Sequence, residues 1–133
     1  MKHTFNQKVF YSDTDAYGVV WHGAYLRWLE MGRILWCEQM GYNLVTLQSQ
    51  DIVLPVTNIN IKYKSPAKLN DEIIIETQIE KYNALSVTFK QIVKNSEKVF
   101  IEATVDVVAV NNNGKLYRRM PDLMMKLFER AIQ

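Results

Sequence analysis

Ala24-Tyr25-Leu26-Arg27-Trp28-Leu29-Glu30-Met31-Gly32-Arg33-Ile34-Leu35-Trp36-Cys37-Glu38-Gln39-Met40 is the stretch whose pattern decides the architecture. It predicts a helix, with Gly41 placed as its C-terminal stop. Leu26, Trp28, Leu29, Met31, Ile34, Leu35, Trp36, Cys37 and Met40 cover most of its circumference, and only Arg27, Glu30, Arg33, Glu38 and Gln39 interrupt them. A helix apolar on so many sides is expected to be buried rather than laid on a surface. At ~1.5 Å per residue it is a rod of roughly 25 Å, the length of a small domain.

The flanking sequence supplies what can wrap such a rod. Upstream, Val9-Phe10-Tyr11 reads as the end of a first strand, followed by the polar, Gly-ended loop Ser12-Asp13-Thr14-Asp15-Ala16-Tyr17-Gly18. Downstream, residues 52–110 read as strand throughout. Over 53–63, Ile59, Ile61 and Tyr63 share one face and Asn58, Asn60, Lys62 and Lys64 the other. Turns at 65–71, 82–84 and 95–97 separate this strand from three more, over 72–81, 85–94 and 98–110. Asn111-Asn112-Asn113-Gly114 closes the last of them. Pro121 then opens a short amphipathic helix with Leu123, Met124, Leu127, Phe128 and Ala131 on its inner face. Short turns imply antiparallel neighbours. The reading is an α+β domain: an antiparallel sheet of about five strands around one long central helix, plus a short C-terminal helix.

Composition sets the outer limits. The chain has 133 residues, 48% of them hydrophobic, and reads as a single domain over 1–133 with no repeat or linker. Cys37 is the only cysteine, so no intrachain disulfide forms, and a packed thiol in a reducing compartment is expected. A formal net charge of +2 with both signs interspersed argues against nucleic-acid binding. Met1-Lys2-His3-Thr4-Phe5-Asn6-Gln7 has no apolar signal-peptide core, and no apolar run approaches the ~20 residues of a membrane span. A cytoplasmic location without membrane insertion is the expectation.

The densest polar chemistry lies just before the helix, as Asp13-x-Asp15-x-x-Gly18-x-x-x-His22. Helix N-terminal amides are unpaired donors with a partial positive charge, suited to a polarised carbonyl oxygen. A carboxylate seven residues upstream, on a loop turning at Gly18, is able to fold back to that terminus. An oxyanion donor beside a carboxylate that attacks or activates water is what acyl transfer requires. Each residue also has a plainer reading. Asp15 can be a loop or capping aspartate, and Asp13 is better suited to ordering the turn through backbone amides. His22 can be an acid/base, an orienter of Asp15, or a packing residue. As metal ligands the three lack a fourth partner, so no metal is expected.

The run Val9-Phe10-Tyr11-Ser12-Asp13-Thr14-Asp15-Ala16-Tyr17-Gly18-Val19-Val20-Trp21-His22 resembles the signature of the 4-hydroxybenzoyl-CoA thioesterase superfamily. Within it, the likeness is strongest to the acyl-CoA thioesterases associated with the Tol–Pal system. Residues 61–71 are similar to that family's second-strand exit and Phe89-Lys90-Gln91-Ile92-Val93 to its fourth strand, so the likeness spans nearly the whole chain in order. It implies the hotdog fold and an acyl-CoA thioesterase acting on a short-chain or aromatic acyl-CoA, 1,4-dihydroxy-2-naphthoyl-CoA among them. It implies no cofactor, since coenzyme A arrives as part of the substrate. By the same resemblance Asp15 is the catalytic carboxylate, as nucleophile or general base, and the His22 backbone N–H polarises the thioester carbonyl. Active sites are expected at the subunit interface of a homodimer or homotetramer. Two positions depart from the family pattern: Gly23-Ala24-Tyr25 stands where small-Asn-Tyr is common, and Tyr17 where a small residue is usual.

Trp21, Tyr25, Tyr17 and Trp28 are candidates for the acyl pocket, with plain core packing the alternative for any aromatic beside a buried helix. Lys62, Lys64, Lys68, Arg118 and Arg119 are candidates for the CoA phosphates, the pairs Lys62/Lys64 and Arg118/Arg119 foremost. Two other functions compete. A hotdog hydratase or dehydratase would need an acid in the helix, for which Glu30 or Glu38 is available. A non-catalytic CoA- or acyl-carrier-binding module would have no need of Asp15.

Overall fold

The alternating segments become strands β1 (Lys2–Lys8), β2 (Val56–Tyr63), β3 (Glu72–Tyr82), β4 (Val87–Lys94) and β5 (Val99–Val107) in a computed structural model, which describes residues 1–132. Three helices accompany them: α1 (His22–Gln39), α2 (Leu44–Ser49) and α3 (Asp122–Ile132). One antiparallel sheet in the order β1-β3-β4-β5-β2 curls around α1, the hotdog arrangement expected.

Two boundaries differ from the sequence reading. Val9-Phe10-Tyr11 lies beyond β1, because the Asp13 carboxylate takes the Phe10 N–H at 2.9 Å and closes a 3-10 turn over Tyr11–Asp13. The strand itself is the polar Lys2–Lys8, which pairs along β3 from Lys2–Gln78 to Lys8–Glu72. Helix α1 starts at His22, two residues before the expected Ala24, and stops before Gly41, whose φ of +104° suits glycine. Helix α2 was not anticipated. Its start is set by Asn43, whose side chain accepts the Thr46 N–H at 2.8 Å.

The expectation that successive strands are neighbours holds for β3, β4 and β5 but fails for β2. That strand lies at the far edge, paired with β5. The segment 64–71 is therefore a crossing, not a hairpin turn. It is held by backbone bonds to the β1 exit, Val9 N–H to Asp71 O at 2.9 Å, and to the α1 entrance, Val20 N–H to Ala67 O at 2.8 Å.

The core divides at the middle of α1. Ala24, Tyr25, Trp28 and Leu29 pack with Ile73, Ile75, Val93 and Phe100, whereas Trp36, Cys37 and Met40 pack with α3 through Met124, Leu127 and Phe128. Trp28 and Trp36 are both fully buried; at ~25 cal/mol per Å2 over roughly 200 Å2, each contributes about 5 kcal/mol gross. Between the two clusters sits Gly32, where a Cβ would lie 2.5 Å from Thr77 Oγ1. Gln91, fully buried beneath the helix, donates to Leu29 O and Thr77 Oγ1, each at 2.8 Å, and accepts from Arg33 at 3.0 Å. A polar side chain tolerates that depth because every bond is made. Burial on all sides, however, is not what α1 shows. One sheet covers one face, so Leu26 is exposed and Met31, Ile34 and Leu35 are half-buried.

Burial also fixes the chemistry of Cys37, whose thiol is pushed up to about 11 by desolvation. Near neutral pH it therefore holds its proton, with about a hundredfold less thiolate than an ordinary cysteine. Thiol-specific reagents at pH 8 are expected to label the unfolded chain within seconds and the native one at least about a hundredfold more slowly. Rapid labelling of native protein in a stopped-flow assay would contradict this placement.

Candidate active site

The loop between β1 and α1 is pinned at several points, and the pins decide where Asp15 stands. Asp13 is 2% exposed; its carboxylate holds Phe10 N–H and pairs with the Arg27 guanidinium, and its carbonyl takes Trp21 N–H at 3.1 Å. This is the turn-ordering role its position suggested. Downstream, Thr14 bridges Val20 and Asp15 N–H reaches Val19 O at 2.9 Å, while Gly18 at φ +78° turns the chain between them. The Asp15 carboxylate is exposed. One of its oxygens, Oδ1, accepts Tyr17 N–H at 2.8 Å, which orients the group and leaves Oδ2 without a partner among the described residues.

Trp21 occupies the N-cap position of α1. An indole has no acceptor oxygen, and no side chain caps this helix. Ala24 N–H turns back to Trp21 O at 3.0 Å, but the His22 and Gly23 amides have no partner among the described residues. They are the open donors of a helix terminus. Asp15, Trp21, His22 and Tyr25 line one cavity of ≈ 470 Å3 together with Tyr63, Lys64 and Pro66. Asp15 and the first residue of α1 thus border a single space.

Tyr25 is buried between Trp28 and Tyr63, with ring centroids 5.7 and 5.9 Å away. Its hydroxyl oxygen accepts Ala67 N–H at 3.2 Å. Burial is the largest influence on its phenol and raises it above its ordinary value, so the group remains a donor. Gly23 is required by its neighbour: a Cβ there would stand 2.1 Å from the Trp21 ring. Gly23→Ala is expected to push the indole off the helix start and raise KM by about tenfold, the scale of a methylene-sized misfit. Trp21 is the one indole with appreciable exposure, so the fluorescence maximum should move as well. An unchanged spectrum and KM would refute this.

The remaining sequence candidates divide. Trp28 is core, at 0% exposure. The Tyr17 ring is 90% exposed and outside the cavity; what it brings to Asp15 is its backbone amide. Lys64 reaches the cavity and lies 3.7 Å from Glu102, whereas Lys62 sits on the exposed edge strand. Arg118 and Arg119 are exposed and adjoin Met120, whose N–H binds Ala84 O past the far end of β3. An 11-residue strand spans ~35 Å, so one chain does not bring this pair to its own Asp15. Glu30 and Glu38 are exposed and also outside the cavity. Tyr63, Ser65 and Pro66 also line the cavity, which the sequence does not signal because residues 65–71 read as a turn and not as a crossing. Among the described residues no three potential ligands cluster for a metal, and no helix is long and apolar enough to cross a membrane.

Known proteins agree with this frame. Residues 9–128 match the family model of the thioesterase-like superfamily. The chain is 30% identical over 123 residues to the acyl-CoA thioester hydrolase YbgC of Escherichia coli, covering 92% of each. It is 30% identical over 108 residues to the putative acyl-CoA thioesterase YneP of Bacillus subtilis, covering 80% of this chain and 78% of that one. Among solved structures, a probable thioesterase from Bartonella henselae superposes with a TM-score of 0.85 at 29% identity, over 91% of this chain and 100% of that one. With nearly its whole length matched by the family model, and with relatives at this identity, the chain belongs to the thioesterase-like superfamily.

Proposed function

We propose that the protein hydrolyses an acyl-CoA thioester to free acid and coenzyme A. The observation that carries this reading is that Asp15 and His22, the first residue of the uncapped helix α1, line the same cavity. The thioester carbonyl oxygen accepts hydrogen bonds from the His22 and Gly23 amides, which strengthen as negative charge develops on it. Asp15 Oδ2 then serves in one of two ways. As a general base it takes a proton from water while the hydroxide attacks the carbonyl carbon, the C–S bond breaks, and the proton passes to the departing sulfur. As a nucleophile it attacks directly, expelling the CoA thiolate and leaving a mixed anhydride for water to cleave. Incorporation of water 18O into Asp15 during turnover would establish the nucleophilic route, in which water cleaves the anhydride at the Asp15 carboxyl carbon.

Trp21 and Tyr25 line the space next to the thioester, and short-chain or aromatic acyl groups are the proposed range, with 1,4-dihydroxy-2-naphthoyl-CoA included. Lys64 is the foremost residue for the CoA phosphates, with Lys62 beside it on β2. Arg118 and Arg119 serve only if another subunit presents them. A homodimer or homotetramer is proposed on two supports: β2 is an exposed edge strand carrying Val56, Ile59 and Tyr63, and α1 leaves Leu26 uncovered. The test is CoA release from a panel of short, medium and aromatic acyl-CoAs. Cleavage of none, with CoA still bound, would favour a binding module. Lys64→Met is expected to raise KM by about three- to tenfold at low salt and less at high salt, since an exposed cation is screened. An unchanged KM at low salt would remove Lys64 from the phosphate site.

A further inference from the structure

Asp13 connects three parts of the site and is itself held by a residue outside the cavity. Its Oδ2 takes the Phe10 N–H at the β1 exit, its carbonyl takes the Trp21 N–H at the start of α1, and its Oδ1 takes the guanidinium of Arg27. Asp15, two residues on, is tied by its own N–H to Val19 O. The loop that carries the carboxylate and the helix terminus that carries the amides thus meet at one buried acid.

A buried carboxylate is stable only when paired; stripped of its cation it draws in water or rearranges. The Asp13 side chain is 2% exposed and the Arg27 side chain 50%. Arg27 is the sixth residue of α1, and helical side chains lean toward the N-terminus, so it reaches back to the loop. It does not line the Asp15 cavity. With half its side chain in water, packing alone does not fix Arg27, and Asp13 is its only ion-pair partner among the described residues.

We propose that the Asp13–Arg27 ion pair is a positioning device that sets the Asp15 carboxylate against the His22 and Gly23 amides. The proposal rests on the thioesterase reading above. Arg27 acts through Asp13 and does not touch the substrate. Losing it misplaces carboxylate and oxyanion donors relative to each other, which slows the chemical step and leaves substrate binding largely intact.

The experiment measures kcat and KM for Arg27→Met, Arg27→Lys, Asp13→Asn and the double variant Asp13→Asn/Arg27→Met, below the thermal midpoint of every protein. Arg27→Met is expected to lose roughly a hundredfold in kcat, the cost of about 1 Å of misalignment, with KM within about threefold of wild type. Arg27→Lys should recover a large part of that loss. The double variant should exceed Arg27→Met, because no charge is then stranded. The proposal is overturned by a kcat for Arg27→Met within about twofold of wild type, or by a rise in KM alone, which would make Arg27 a substrate contact. A double variant no better than Arg27→Met would also overturn it. An inert wild type would instead defeat the thioesterase reading, and this role with it.

Discussion

Asp15→Asn is expected to lower kcat for CoA release by at least about two orders of magnitude, or roughly 2.7 kcal/mol of transition-state stabilisation. The substitution keeps the shape of the side chain, and an amide oxygen still accepts the Tyr17 N–H that Oδ1 holds at 2.8 Å. The loop therefore keeps its geometry, and the measurement reads the missing charge and basicity. KM should stay near wild type, because the acyl and CoA contacts proposed for Trp21, Tyr25 and Lys64 are untouched. Since Asp15 is exposed, thermal stability should be nearly unchanged too. Asp15→Ala should lose at least as much activity, having neither charge nor loop bond. A variant that retains wild-type kcat would make Asp15 a structural loop residue.

Gly32 carries the second large effect, on stability. A methyl group there would lie 2.5 Å from Thr77 Oγ1, 2.9 Å from Gln91 Nε2 and 3.2 Å from Ile75 Cγ2. Helix propensity alone would favour alanine over glycine by about 1 kcal/mol. Overpacking opposes it by about 1–3 kcal/mol, and the atoms struck belong to a hydrogen-bonded pair buried under the helix. Steric cost should win: Gly32→Ala is expected to lower the melting midpoint by several degrees, at about 2–8 °C per kcal/mol for chains of this size. Gly32→Leu should fail to give folded protein. An alanine variant as stable as wild type would mean that α1 lifts off the sheet at little cost.

The legible parts of the chain were those whose physics is local. A long apolar helix, alternating β3, β4 and β5, and the proline-led amphipathic α3 each announce themselves within a few residues. The same holds for Asp15 and His22, whose spacing from the helix start implies a shared end. What escaped depends on contacts between distant segments. A first strand is legible but its bounds are not: the apolar signal lies in Val9-Phe10-Tyr11, whereas the residues that pair with β3 are the polar Lys2–Lys8. Residues 65–71 look like a turn, yet they cross to the opposite side of the sheet and bring Tyr63, Ser65 and Pro66 to Asp15. Tyr17, which the resemblance placed beside the pocket, is exposed and outside it, and meets Asp15 only through its backbone amide. Arg27 gave no signal at all, since only the fold reveals that it reaches Asp13.

That crossing also imposes an order on folding. Strands β3, β4 and β5 join through tight turns, so their pairing closes short loops and comes early. The edges cannot follow so fast: Lys2 must find Gln78, and Val56 must find Val107. The Asp15 loop depends on both closures, because its anchors at Ala67 and Asp71 lie on the segment that joins edge strand β2 to β3, the partner of β1. In a refolding experiment, thioester cleavage should therefore return after the far-UV signal has recovered, with catalytic competence the last property the chain acquires.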